Sequence, residues 1–212
     1  DVVLEARGLT KWYGGFLALD RADFQVRRGE ILGYLGPNGS GKSTTVNIVV
    51  GLIESSAGSI WLDGQRAADD PVAYKRRIGY VPEDREVFGG LTVDENLRLV
   101  DPDRGVEAPI VGTLFPDLVT RAKQRAGTLS GGQQQMVSLA RLRDMSVLLI
   151  DEPTKGLAPK LVTEVADVLA EVARTTPILL VEQNLPLVRR IADTVVVLDA
   201  GQVVHRGGAA EL

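Results

Sequence analysis

Short apolar runs set the rhythm of this chain. Residues 31–35 (ILGYL), 78–81 (IGYV), 147–150 (VLLI), 178–181 (ILLV) and 195–198 (VVVL) are continuous or nearly continuous apolar stretches bounded by polar or glycine-rich segments. Runs of this kind read as β-strands buried on both faces, as in a parallel sheet covered by helices. Between the third and fourth runs, Leu161, Val165, Val168, Leu169 and Val172 recur at helical spacing behind Pro159. That predicts an amphipathic helix with proline in the first turn, where it is tolerated.

Three further strands are expected at residues 2–5, 22–26 and 59–62, and Asp63-Gly64 follows the last of them. This dipeptide favours a tight hairpin turn, so a small antiparallel sheet should stand beside the main one. Thr92 and Glu95 have capping-box spacing and open a short helix through Leu99, after which residues 101–109 (DPDRGVEAP) lose all periodicity. The predicted fold is α/β: a mostly parallel sheet, a small antiparallel β subdomain and a short helical subdomain, all in one domain over residues 1–212. The α/β core with its antiparallel subdomain takes approximately 1–83 and 147–212, and the helical insertion approximately 84–146. No internal repeat, low-complexity tract or Gly/Ser linker argues for a second domain.

Composition narrows the chemistry. With 44% apolar residues in 212, the chain can bury a sizeable core. Its net charge of −4 is spread along the sequence without a basic face, so no nucleic-acid partner is expected. There is no cysteine and one histidine, His205, which excludes thiolate metal sites and histidine clusters and leaves a Ser-His-Asp site improbable. His205 is therefore expected to be an ordinary surface or satisfied residue. No apolar run approaches the roughly 18 residues of a membrane span, and the first residues lack a signal-peptide layout. A role at a membrane would then need a partner to hold the chain there.

The chemistry concentrates where the first buried strand ends. GPNGSGKST, residues 36–44, places Gly36, Gly41, Lys42 and Ser43 at the fixed positions of G-x-x-x-x-G-K-[ST]. Glycines let the backbone turn its N–H groups toward an anion, and the helix that follows adds its positive end. Lys42 can reach the β- and γ-phosphates, and Ser43 can ligate magnesium. Gly36, Pro37, Asn38, Gly39, Ser40, Gly41, Lys42, Ser43 and Thr44 are thus the expected phosphate-binding residues of a P-loop. The loop alone does not separate an ATPase from a GTPase or a small-molecule kinase.

Far downstream, VLLIDEP sets Asp151 and Glu152 at the end of a buried strand. There Asp151 can hold magnesium and Glu152 can polarise an attacking water, a pairing that suits hydrolysis. LSGGQQQ, residues 129–135, puts Ser130, Gly131, Gly132 and Gln133 at a helix start. This segment is either a plain helix cap or a second anion-binding surface.

Taken in order, these segments closely resemble the ATP-binding subunits of ABC transporters over nearly the whole chain. Tyr13 falls at the family's aromatic A-loop position, GPNGSGKST is its Walker A motif and VPE (81–83) its Q-loop region. LSGGQ is its signature, and VLLIDEP its Walker B motif. The resemblance implies ATP and Mg2+ as ligands, Tyr13 stacking on adenine, and Glu83 with Ser43 and Asp151 around the metal. It makes Glu152 the catalytic base, assisted by Lys42 and by Gln183 as γ-phosphate sensor. It also implies a homodimer, or a heterodimer with another ATPase subunit, in which Ser130, Gly131, Gly132 and Gln133 of one chain cover ATP on the other. Membrane permease subunits would hold the assembly at the inner, cytoplasmic face of the membrane.

The chain departs from the family pattern at three positions. Glu83 stands where a glutamine is usual, Gln183 where a histidine is usual, and Ala158 where the D-loop carries aspartate. VPE, GLAP and VEQN resemble the second ATPase of branched-chain amino acid importers, whereas residues 16–52 look more like the ATPases of simple exporters. The stretches 97–114 and 141–147 are shorter than the family norm. The alternatives are an engineered or degenerate cassette that binds nucleotide without driving transport, and a non-transport ABC ATPase of DNA maintenance or of ribosomes. Trp12 reads as a structural aromatic, and Asp84, Arg85 and Glu86 as a solvated loop face.

Overall fold

The computed structural model describes residues 1–84, 87–141 and 145–212. Arg85 and Glu86, expected on a solvated loop, and the centre of the shortened 141–147 connection lie outside the described residues.

Two sheets organise the chain. Strands β1 (Val2–Tyr13) and β2 (Phe16–Arg27) form a long hairpin, and β3 (Ile31–Leu35) runs into helix α1 (Lys42–Val49). Next come β4 (Ala57–Leu62), β5 (Gln65–Arg66), α2 (Pro71–Lys75) and β6 (Ile78–Val81). Four short helices follow: α3 (Val93–Arg98), α4 (Pro109–Leu114), α5 (Pro116–Thr120) and α6 (Gly131–Ala140). The chain then alternates through β7 (Val147–Asp151), α7 (Pro159–Ala173), β8 (Ile178–Glu182), α8 (Leu185–Ile191), β9 (Thr194–Asp199) and β10 (Gln202–Gly208).

The larger sheet has the order β10-β9-β3-β8-β7-β6, parallel except for the β9–β10 hairpin at its edge. All five predicted buried runs lie in it, and β3 and β8 are buried at every position. The smaller sheet is antiparallel, β2-β1-β4-β5. Its first two strands are 12 residues each, much longer than the expected 2–5 and 22–26. Register shifts along β1 and a left-handed Gly8 (φ 60°) break the in–out alternation that would have revealed them. The turn at Asp63-Gly64 is as expected, with φ of 46° and 77°, the left-handed pair of a tight hairpin.

The cores of the two halves differ. One apolar cluster joins the antiparallel sheet, α1 and one set of positions in the main sheet, including Leu4, Phe24, Tyr34, Val46 and Leu149. The other joins α3–α6 to the opposite positions of β7 and β8 and to α7, through Leu97, Val111, Leu118, Val137, Ile150 and Leu169. Thr92 and Glu95 form the expected capping box at α3. Residues 101–108 are irregular apart from one 3-10 turn at Gly105–Glu107, and Pro109 already begins α4. Prolines at the first turns of α4 and α5 then restart the chain in two brief helices that the sequence pattern did not reveal.

Candidate functional site

Strand β3 delivers the chain to the 36–44 loop at the C-terminal edge of the main sheet, where ligands bind in open α/β folds. A side chain at Gly36 would collide with the Leu198 carbonyl at 2.3 Å and Ser40 Oγ at 2.4 Å. Gly39 (φ 80°) and Gly41 (φ 106°) take backbone conformations that other residues avoid. Gly41 caps α1 without a side-chain hydrogen bond, so no side chain occupies the helix's N-terminal donors there. Ser40 Oγ is buried and lacks a partner among the described residues.

Lys42 is 6% exposed and donates from Nζ to the carbonyls of Gly36 (2.6 Å) and Pro37 (3.1 Å), arching over the loop. Burial pushes its pKa below the usual lysine value, against the pull of Glu152, Asp151 and Glu83. Ser43 is exposed in the first turn of α1 and Thr44 is half-buried beside it.

Asp151 ends β7, next to Val181 of β8. Burial, then the negative charges of Glu152 and Glu83, raise its carboxyl from an ordinary 3.8 to about 6, with Lys42 opposing. Glu152 follows in a left-handed conformation (φ 44°) that a non-glycine residue rarely adopts, its N–H bonded to Val181 O at 2.8 Å. Strain of this kind persists where surrounding structure fixes it, here through the bond to Val181 at the strand end.

Gln183, just past β8, donates from Nε2 to Glu152 Oε1 and to Asn38 Oδ1, the latter at 2.9 Å. The structure therefore brings together Lys42, Asp151, Glu152, Gln183 and Asn38, which are up to 145 residues apart in sequence. Glu83, expected near the metal, is ion-paired to Lys155, whose Nζ also lies 3.9 Å from Glu152 Oε2. Lys155 is not evident as a site residue from the sequence, where its one signal is a cation three residues after Glu152.

Two expected groups take no part in these contacts. Tyr13, at the tip of the β1–β2 hairpin, is 48% exposed with the Lys11 ammonium 5.2 Å from its ring centre. Trp12, expected to be structural, is 47% exposed at the same hairpin tip. Phe16, paired across from Tyr13, is also exposed and was not singled out from sequence.

At the start of α6, Ser130 and Gln133 form a reciprocal capping box, and Gln133 Nε2 reaches Asp117 Oδ2 at 3.2 Å. Gly132 packs closely on α7, and a side chain there would displace the end of Leu161, which it would meet at 2.3 Å. His205 is exposed on β10, as expected.

The loop fits a triphosphate on its own geometry: a glycine cradle, a buried unpartnered hydroxyl at Ser40 and a buried ammonium at Lys42. Among the described residues no three His, Cys, Asp or Glu side chains converge to hold an ion by themselves. The hydroxyl of Ser43 and the carboxylate of Asp151 are the hard oxygen donors that suit magnesium carried in with phosphates.

The ABC transporter family model matches residues 19–155, more than half the chain. The chain belongs to the ABC transporter family, as an ATP-binding cassette of the kind that hydrolyses ATP. It is 37% identical to the high-affinity branched-chain amino acid transport ATP-binding protein BraG of Pseudomonas aeruginosa, over 96% of this chain and 92% of that protein. It is 34% identical to the Nod factor export ATP-binding protein I of Ralstonia nicotianae, over 99% of this chain and 68% of that protein. Among solved structures it resembles cbiO1 of Clostridium perfringens, part of the ABC transporter complex cbiONQ, with a TM-score of 0.88 and 26% identity over 100% of this chain and 90% of that one. ATP-binding subunits of such transporters act with membrane permeases. Among the described residues no helix is long and apolar enough to cross a membrane.

The raised carboxyl of Asp151 gives a stability prediction with a definite sign. Between about pH 4 and 6 the folded chain holds a proton on Asp151 that the unfolded chain has released, so stability falls as pH rises through that window and the cost is full above it. Asp151→Asn removes this titration. The variant should be more stable than the parent at pH 7.5, by on the order of 1–2 kcal/mol after allowance for partial solvent exposure, with a correspondingly higher melting temperature, and the gap should close near pH 4. Magnesium-dependent hydrolysis should be lost in the same variant. Parallel melting curves across the range test it.

Proposed function

We propose that this chain powers solute transport through a head-to-tail dimer in which ATP is clamped between the P-loop of one cassette and the Ser130–Gln133 segment of the other. One observation carries the reading. The phosphate loop, acid pair and Gln183 are assembled within one chain, whereas Ser130 stands exposed at a second helix start on the other lobe. The capping box at Ser130 closes the start of α6, and the exposed face of that helix start is the surface this reading sets against the partner's ATP. The lobes are those read from sequence: a core of about residues 1–83 and 147–212, and a helical insertion of about 84–146.

In this reading the backbone N–H groups of residues 36–44 and Lys42 hold the phosphates, and Tyr13 stacks on adenine. Ser43 and Asp151 hold Mg2+, with Glu83 close by. The metal, when bound, neutralises charge on the phosphate oxygens. Glu152 takes a proton from water, and Gln183, bonded to Glu152 and Asn38, orients that water and the γ-phosphate. Gln183 can do this by hydrogen bonding, without the charge that a histidine could carry. Closure on ATP and reopening after hydrolysis would move permease subunits that keep the cassette peripheral at the inner membrane face. The second cassette is a copy of this chain or a related subunit.

Complementation tests the dimer. Lys42→Ala and Ser130→Glu should each abolish turnover alone, the first by losing phosphate binding and the second by setting a carboxylate against the partner's phosphates. Mixed in equal amounts, they form heterodimers with one intact composite site, and about a quarter of the parent rate should return. No recovery, with both variants folded and Ser130→Glu still binding ATP, would exclude a sandwich between two copies of this chain.

A further inference from the structure

Strand β8 reads Ile-Leu-Leu-Val and then ends on Glu182, which is 3% exposed. A carboxylate in that position is costly unless donors surround it. Glu182 has them on both sides. Oε1 accepts from the hydroxyl of Thr154 and from its backbone N–H at 3.3 Å, and Oε2 accepts from the N–H groups of Gln183 (2.9 Å) and Asn184 (3.0 Å). Thr154 lies two residues past Glu152, in the loop that leads to α7. One buried side chain thus ties the loop carrying the proposed base to the loop carrying the proposed γ-phosphate sensor.

We propose that Glu182 is a positioning residue for hydrolysis. It fixes the 152–154 loop and residues 183–184 relative to each other, so that Gln183 meets Glu152 and Asn38 in one arrangement. A strand end of this kind needs no acid for packing, since the four preceding residues are apolar and buried. Three of the four donors are backbone N–H groups that cannot reverse, and a carboxylate accepts from all four at once. A glutamine with its NH2 toward Thr154 could donate to the turned hydroxyl but would leave the Thr154 N–H without its acceptor. The proposal rests on the assignment of Gln183 and Glu152 to hydrolysis.

In Glu182→Ala, kcat should fall by roughly 10- to 100-fold, the scale of a misplaced catalytic group, while KM and the affinity for a fluorescent ATP analogue change by less than about threefold. Glu182→Gln should fall between that variant and the parent. Hydrogen exchange on the nucleotide-free proteins should accelerate at the amides of Thr154, Gln183 and Asn184 together. Adding Gln183→Ala to Glu182→Ala should cost little more, because the sensor is already displaced. If Glu182→Ala does not fold, Glu182→Gln and Thr154→Val carry the same measurements. Unchanged exchange at Thr154 overturns the tie between loops. A Gln183→Ala penalty as large in the Glu182 variant as in the parent overturns the positioning role and leaves the hydrolytic assignment standing. If instead Gln183→Ala alone leaves kcat unchanged, the assignment of Gln183 is what fails, and exchange at Thr154 still decides the tie.

Discussion

Lys42→Ala should weaken ATP binding by on the order of 100-fold and bring turnover to background. The side chain is buried, and its ammonium is held at the phosphate loop by bonds to the Gly36 and Pro37 carbonyls. A charge-assisted hydrogen bond to phosphate is worth about 1.5–3 kcal/mol, enough for that loss from one contact. A second effect adds to it. Lys42 opposes the raised pKa of Asp151, so its removal leaves Asp151 more easily protonated and, as the proposed magnesium ligand, a poorer donor near neutral pH. Lys42→Arg separates the two contributions: it keeps the positive charge but puts a planar fork where the loop accommodates a narrow ammonium stem. The arginine variant should recover part of the magnesium dependence and little of the affinity. Titration with a fluorescent ATP analogue, with and without magnesium, measures both. Parent-like affinity in Lys42→Ala would remove this residue from the phosphate site.

Much of this was legible in the sequence because the relevant signals are local. Continuous apolar runs gave the main sheet, since strands buried on both faces need no alternation to be recognised. The phosphate loop was readable because glycine spacing, lysine and hydroxyl must all sit within nine residues to surround an anion, and the collision at Gly36 shows why substitution there is barred. The length of β1 and β2 was not legible, because bulges scramble the in–out pattern on which strand recognition depends. The contacts of Gln183 with Glu152 and Asn38, and of Glu83 with Lys155, arise only when parallel strands end at one edge of the sheet. Local patterning carries no record of such pairs. Glu182 was hidden for another reason: a charged residue ending an apolar strand ordinarily reads as a solvated boundary, and only the burial of its carboxylate shows otherwise.

Glu152→Gln should cut hydrolysis by roughly 10²–10⁴-fold, the range associated with general-base catalysis, while ATP binding survives. The structure sharpens this expectation. Glu152 accepts from Gln183 Nε2 through Oε1, and a glutamine at 152 can present its own carbonyl oxygen to the same donor. Shape, left-handed backbone and partner are therefore retained while basicity is lost. The substitution also removes a negative charge that helps to raise the pKa of Asp151, so Asp151 should ionise more readily and bind magnesium at least as well as in the parent. Both effects favour a long-lived ATP complex. With ATP unspent, the Ser130–Gln133 surface of one chain should stay closed over the phosphates of another, giving a dimer with ATP and a monomer with ADP. Size-exclusion chromatography with light scattering distinguishes the two states. Parent-like turnover would disprove the base assignment. Tight ATP binding by a chain that stays monomeric at high concentration would instead place the fault in dimer closure, where Ala158 opens α7 without a side-chain cap and where aspartate is usual in this family. Ala158→Asp in the Glu152→Gln background would then be expected to restore the ATP-dependent dimer, since its carboxylate can cap α7 and supply the polar contact that alanine lacks.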